Sequence, residues 1–259
     1  MVFLYLGGKF GFWYHCVIMS GHSKWSTIAK KKGVLDSNRA AKFTKVAKLI
    51  TIAARDGGGD PAFNFQLRVA IDQAKMVNMP KENIERAIKR GAGDDDGGSI
   101  VEILYEGFGP GNSALLIKSL TDNRNRSISE IRTAITKNGG IMGNSGSVAW
   151  MFEKKGVVTI TDVSTVKDRD VFELAVIDAG AEDITEDDGL LQVLCAPDQL
   201  KKVLDAIEAL QVKVDGAEIE YRAKELVTIE DMETKQSFEK LMEVLDELED
   251  VDTVFTNVK

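Results

Sequence analysis

The sequence predicts an α+β protein: an N-terminal three-helix domain followed by two small α/β domains of ferredoxin-like type, one inserted into the other. Three observations lead there. Apolar residues recur at helical spacing between Arg39 and Arg90, and beyond the glycine- and aspartate-rich run at 91–99 they alternate as in strands. Residues 156–222 read strand, helix, strand, strand, helix, strand, the order of a ferredoxin-like unit. The elements flanking that unit, at 100–139 and 238–257, cannot each close a core alone, so they are expected to join across it. The resulting domains run 19–95, 96–145 plus 229–259, and 146–228, with residues 1–18 standing apart.

The first helix covers 39–55, with Phe43, Val46, Ala47, Ile50, Ala53 and Ala54 on one face and Lys45 and Lys48 pointing away from it to solvent. DGGGDP at 56–61 ends it. A second helix buries Leu67, Ala70, Ile71, Ala74 and Val77. Asn78-Met79-Pro80 breaks it, and Pro80 suits the first turn of a third helix carrying Ile84, Ala87 and Ile88. Gly91 reads as that helix's stop.

Beyond the linker, IVEILYE (100–106) and SALLIKS (113–119) read as strands joined by the turn GFGPGN. Ser127 and Glu130 read as a capping box for a helix with Ile128, Ile131 and Ile135 inward, ending at Gly139. GSVAWMF and GVVTIT, joined by Glu153-Lys154-Lys155, read as a hairpin. There follow a helix at 168–179, strands at 182–187 and 190–194, a helix at 197–210 that starts at Pro197 and buries Leu200, Val203, Leu204, Ile207 and Leu210, and a strand at 216–222. A C-terminal helix with Phe238, Leu241, Met242, Leu245 and Leu248 inward and a strand at 252–257 complete the chain.

Charge is distributed unevenly. Residues 19–93 hold fifteen Lys/Arg against six acids, a net of +9, whereas 94–259 carry a net of −18, and the overall −8 hides this split. Local potential, not net charge, decides where phosphates are attracted, so the basic third is a candidate polyanion-binding module. The two cysteines, Cys16 and Cys195, are far apart in sequence; they fit a reducing compartment and make no disulfide framework. Histidine occurs only at His15 and His22, which excludes most metal and triad chemistry. No constellation supports catalysis, and no metal or cofactor is implied. The stretch MVFLYLGGKFGFWYHCVI has neither a signal peptide's cleavage pattern nor an unbroken membrane span, and Met19 reads as the start of the soluble sequence.

The sharpest short motif is GHSKW. His22, Ser23, Lys24 and Trp25 combine hydrogen-bond donors, a cation and a stacking ring, the means of holding nucleic-acid backbone and bases. Lys30, Lys31, Lys32, Arg39, Lys42, Lys45, Lys48 and Arg55 continue it as a basic stripe. A merely solvated helix face would have the same composition. In TDNRNRS, Arg124 and Arg126 stand beside a helix N-terminus, suited either to a phosphate or to ordinary capping. GFGPGN lacks the lysine of a phosphate-binding loop, GGIMGNSGS lacks the spacing of a nucleophile elbow, and the carboxylates around 182–188 read as a solvated face.

GHSKW, the basic helix after it, MPKENIERAIKRGAG at 79–93, YEGFGPGN at 105–112, DNRNRS at 122–127 and GSVAWMFEKKG at 146–156 together resemble the YebC/PmpR family. The resemblance covers the chain from Met19 onward and leaves 1–18 without a counterpart. It implies a helical domain plus two α/β domains, one inserted in the other. It also implies a cytoplasmic, non-enzymatic, nucleic-acid-binding regulator of transcription, with the GHSKW segment and the lysine stripe as contacts. Since the family includes the mitochondrial translational activator of cytochrome c oxidase, it implies for at least some members, as the alternative, a ribosome-associated translation factor that binds rRNA or mRNA. The helix at 39–55 offers lysines and small apolar residues, without the Arg, Asn and Gln cluster of base-edge readout; this favours backbone recognition, of RNA as much as DNA. A third reading makes the acidic remainder a protein-interaction scaffold with the basic third as its intramolecular partner.

Overall fold

The structure, a computed structural model, describes residues 39–93, 100–187 and 189–259. The extension 1–18, the GHSKW segment, the lysine run at 30–32 and the linker at 94–99 lie outside the described residues.

Helices α1 (Arg39–Gly57), α2 (Phe65–Met76) and α3 (Lys81–Ala92) build the N-terminal unit. Their apolar stripes meet in one cluster of Val46, Ile50, Ala54, Leu67, Ala70, Ala74, Ile84 and Ala87, which Met79 completes from the α2–α3 turn. Buried Asn64 organises the α1–α2 turn. Its Oδ1 accepts from Leu67 N at 3.0 Å, capping α2, while its amide donates to Ala53 O and Gly58 O. The stop of α3 is not Gly91. The helix runs one residue further, and Gly93 supplies the left-handed cap at φ 92°. Gly91 serves a different need, because a Cβ there would meet Thr51 O at 2.2 Å. Its missing side chain is what lets α3 lie against α1.

Strands β1 (Val101–Gly109) and β2 (Ser113–Thr121) pair antiparallel over nine residues each, turned by a 3-10 segment at Pro110–Asn112. Helix α4 (Arg124–Lys137) follows, then the short β3 (Ile141–Met142) beside β1. The chain returns to this sheet only at its end. Helix α7 (Met232–Glu247) packs with α4 on one face, and β8 (Val251–Thr256) pairs with β2, giving the order β3-β1-β2-β8. Strand β2 is central and buried on both sides. Leu115 and Ile117 join the core under α4 and α7, while Ala114 and Leu116 face a second cluster with Val148, Phe152 and Phe255. Reading SALLIKSLT as a near-continuous apolar run follows from that two-sided burial.

Between β3 and α7 lies the inserted unit: β4 (Phe152–Ile160), α5 (Arg169–Asp178), β5 (Ala181–Asp187), β6 (Leu190–Cys195), α6 (Leu200–Ala209) and β7 (Gly216–Ala223). Its sheet order β5-β6-β4-β7, antiparallel throughout, is the ferredoxin-like arrangement. The expected hairpin at 146–161 is absent. Residues 153–155 are not a turn but the early part of β4, which pairs continuously with β7 from Phe152↔Ala223 to Thr159↔Gly216; only a 3-10 turn at Ala149–Met151 precedes it. α6 likewise begins at Leu200, three residues after Pro197. Cys195 is free and buried against Gly156.

Candidate nucleic-acid interface

Along α1 the cations divide by position. Lys42 is exposed. Lys45 and Lys48, three residues apart, occupy the flank of the helix that abuts the end of α7, and neither faces solvent as expected. Lys45 Nζ donates to Asp246 O at 2.6 Å and lies 3.7 Å from the Asp246 carboxylate. Lys48, 9 % exposed, donates to Glu249 O at 3.2 Å and to Asp250 Oδ1 at 2.6 Å. The physical reason is electrostatic: the terminal carbonyls of α7 and the carboxylates beside them form a negative end that attracts ammonium groups. Burial pulls the Lys45 ammonium below its usual pKa, against the raising effect of Asp246 and Asp252. Arg55 also turns back, its Nε to Asp56 at 2.8 Å and its Nη1 to Ile100 O, where β1 begins. Arg39 starts α1, and its side chain lies outside the described residues.

Asp250 is the centre of this contact. It is 1 % exposed and receives donors from three other elements: Lys48 on α1, Thr121 Oγ1 at the end of β2 (3.0 Å), and on α4 Ser127 Oγ (2.7 Å) with Arg126 Nη2 (2.9 Å) and Nε (3.2 Å). Its backbone carbonyl accepts from Leu120 N and Ser119 Oγ, both at 2.8 Å. Burial by itself would raise the carboxyl's pKa, but the hydrogen bonds from Lys48, Ser127 and Arg126 outweigh it and hold the group down at about 2.

The two arginines in the first turn of α4 therefore differ. Arg126 is committed to Asp250 and, at 3.0 Å, to Asp122; these partners raise its pKa. Arg124 is exposed at the first residue of α4. The capping box at Ser127 and Glu130 does not form. Asn123 is the cap, accepting from Arg126 N at 3.1 Å, and Ser127 is buried inside the first turn because Asp250 needs its hydroxyl.

Other exposed groups of the basic unit lie outside these motifs. Arg86 and Lys89 project from α3 opposite Ile84 and Ala87, and Arg68 and Lys75 from α2. Phe63, on the loop before α2, is 90 % exposed. Near the inserted unit, buried Glu106 accepts from the backbone N–H groups of Gly146 (2.6 Å), Val148 (2.7 Å) and Ala149 (2.8 Å). Burial disfavours its charge, yet these three donors keep its pKa below the usual carboxylate value. They fold the glycine-rich loop and present Trp150 outward. No sequence pattern marks Glu106 or Asp250; each looks like one more acid in an acidic region. Among the described residues there is no cluster of metal-ligating side chains, and no helix is long and apolar enough to cross a membrane.

A basic helical unit locked by a buried carboxylate to an antiparallel α/β unit, into which a second antiparallel α/β unit is inserted, defines a three-unit α+β protein. The TACO1/YebC N-terminal domain matches residues 23–94, and the TACO1/YebC second and third domain matches residues 100–258. The chain belongs to the TACO1/YebC family. A probable transcriptional regulatory protein of Chloroflexus aurantiacus is 49% identical over 242 residues, 93% of this chain and 95% of its own. One of Trichlorobacter lovleyi is 48% identical over 239 residues, 92% of this chain and 95% of its own. The crystal structure of a conserved hypothetical protein from Aquifex aeolicus superposes with a TM-score of 0.78 at 41% identity, covering 86% of this chain and 91% of that one.

Proposed function

We propose that this protein is a cytoplasmic, non-enzymatic regulator that binds nucleic acid through its N-terminal unit, and that its target is DNA at the genes it regulates. The observation that carries this reading is the charge split: +9 over residues 19–93 against −18 over 94–259. Only the basic third attracts a polyanion. The names of the relatives, probable transcriptional regulatory proteins, agree with it. The contact set consists of the segment His22, Ser23, Lys24, Trp25 with Lys30, Lys31 and Lys32, joined by exposed Lys42, Arg86 and Lys89. Phe63 adds a ring on which a base can stack. Lys45, Lys48 and Arg126 support the unit rather than touch the ligand, since their charges are used inside the protein.

One observation favours a second reading, a ribosome-associated translation factor binding rRNA or mRNA. With Lys45 and Lys48 turned inward, the exposed cations of α1 and α3 are suited to phosphates, and α1 carries no Asn or Gln with which to read base edges.

The experiment uses the full chain and its variant Lys42→Glu/Arg86→Glu/Lys89→Glu. The parent should bind duplex DNA or structured RNA with an affinity that falls steeply as salt rises, and each lost phosphate contact should lower the logarithmic salt slope by about one. Co-sedimentation with ribosomes or retention on promoter DNA from one lysate, at moderate salt, separates the two readings. If the variant binds like the parent with the same salt slope, the exposed cations are only a solvated face.

A further inference from the structure

The inserted unit carries a helix that is apolar on both sides. Phe172 and Val176 of α5, four residues apart, enter the core. On its other side Val171, Leu174 and Ile177 are 49 %, 64 % and 56 % exposed. They follow one another at three-residue spacing, so they are neighbours on the helix surface. The same unit contains an internal comparison. Helix α6 packs beside α5 and buries Leu200, Val203, Leu204 and Ile207, yet its outer face is Lys201, Lys202, Asp205 and Glu208. That is the ordinary pattern for a surface helix, whereas contiguous exposed apolar residues rimmed by charged ones mark an interaction surface. Beside Val171 the stripe runs into a cleft of about 110 Å³ lined by Val166, Phe172, Leu210 and Val212.

The surroundings are acidic. Residues 162–187 hold nine carboxylates against Lys167 and Arg169, a net of −7. Arg169 is neutralised in place by Glu173 at 2.6 Å and Glu186 at 2.9 Å. Exposed Asp168, Asp170 and Asp178 rim the stripe, and Glu182, Asp183 and Glu186 stand on the neighbouring edge strand β5. This surface repels nucleic acid and anionic membranes. Facing a second copy of itself across a two-fold axis, it would set Asp170 and Asp178 against their own kind. Charged residues along β5 also oppose the addition of a strand to that edge.

We propose that the α5 face docks a lysine- or arginine-rich amphipathic helix of a partner protein, its aliphatic side chains on Val171, Leu174 and Ile177 and its cations on the acidic rim. The stripe and cleft provide the anchors, and the net −7 selects the partner's charge. This surface lies in the acidic part of the chain and owes nothing to the nucleic-acid reading.

The test uses the full chain and three labelled peptides: a Leu/Lys peptide with leucines at helical spacing, a scrambled peptide of the same composition, and the patterned peptide with Glu for Lys. Fluorescence anisotropy at moderate salt gives the affinities, and thermal unfolding checks each variant's fold. The patterned Leu/Lys peptide should bind about tenfold or more tighter than the scrambled one, and the Glu peptide should not bind. Leu174→Asp should remove about tenfold or more of the affinity, as should Asp170→Lys/Asp178→Lys, which leaves the stripe intact. Equal binding of patterned and scrambled peptides would mean charge alone acts, and overturns the proposal. So does unchanged affinity in both variants, which places the peptide elsewhere. Concentration-dependent self-association abolished by Leu174→Asp would identify a second copy as the occupant and overturn it as well.

Discussion

Lys48 Nζ lies 2.6 Å from Asp250 Oδ1, and across this pair the basic helical unit is held to the acidic remainder of the chain. The two residues are 202 positions apart. Neither could be buried alone, because an isolated charge in the interior costs several kcal/mol or more. Each is tolerated through the other and through Thr121, Arg126 and Ser127, which occupy the remaining positions around the carboxylate.

Replacing the carboxylate breaks this arrangement from its centre. Asp250→Asn keeps the shape but leaves Lys48 without its counter-charge, and an amide nitrogen then faces donors. A loss of about 3–5 kcal/mol is expected, the range for removing one partner of a buried pair. Urea unfolding measures it. A change below about 1 kcal/mol would mean that water or another acceptor already serves Lys48.

The same carboxylate makes stability depend on pH. Its folded pKa is about 2, and an unfolded aspartate titrates near 3.9. The group is thus depressed on folding. Its contribution of about 2–3 kcal/mol is fully present above pH ~4 and is lost as pH falls from there through about 2. Stability curves for the parent and Asp250→Asn should converge as pH falls over that window and run parallel above it. Parallel curves at all pH values would refute the assignment to Asp250.

Charge reversal on α1 should have opposite consequences at neighbouring lysines. Lys42→Glu changes an exposed residue and should alter stability by no more than about 0.5 kcal/mol. Lys48→Glu places a second carboxylate against Asp250 and should destabilise by about 3 kcal/mol or more. Weakened nucleic-acid binding in Lys42→Glu at unchanged melting temperature reports on contact; the same loss in Lys48→Glu reports on a damaged junction. If Lys48→Glu is as stable as Lys42→Glu, the helical unit is not held through this residue.

How far the sequence could be read follows from the range of each interaction. Stripes such as Val46, Ile50 and Ala54, or Leu200, Val203, Leu204 and Ile207, are local periodicities, and they appear in the cores as read. So does the closing of β8 on β2, legible because the flanking elements had no other way to complete a sheet. What failed was decided at a distance. Lys45 and Lys48 look solvent-facing on an isolated helix wheel; only the end of α7, some 200 residues later, turns them inward. Ser127 fits a capping box, but Asp250 takes its hydroxyl and Asn123, also a good cap, serves instead. Lys154 and Lys155 suggested a turn by polarity, yet they sit in β4 with Lys154 over the Tyr221 ring at 5.2 Å and Lys155 paired with Glu182 at 2.6 Å.

Gly91 gives the most direct test of the helical unit's packing, because two effects oppose each other there. Inside a helix, Ala is favoured over Gly by about 0.8–1 kcal/mol. At position 91 the added methyl would stand 2.2 Å from Thr51 O and 2.7 Å from Ala54 Cβ, both on α1. Backbone cannot move aside cheaply, so α3 must shift away from α1 and loosen the contacts of Ile50 and Ala87. Gly91→Ala should therefore destabilise by about 1–3 kcal/mol despite the better helix propensity. Gly93→Ala is the control. Nothing lies within 4 Å of its Cβ position, and its cost comes only from the left-handed φ of 92°, about 1–2 kcal/mol. The two can be told apart by hydrogen exchange. Gly91→Ala should lower protection in the middle of α1 around Thr51, whereas Gly93→Ala should fray only the last turn of α3. A Gly91→Ala variant more stable than the parent would show that α1 and α3 do not approach this closely, and with that the arrangement presenting Lys42, Arg86 and Lys89 would have to be redrawn.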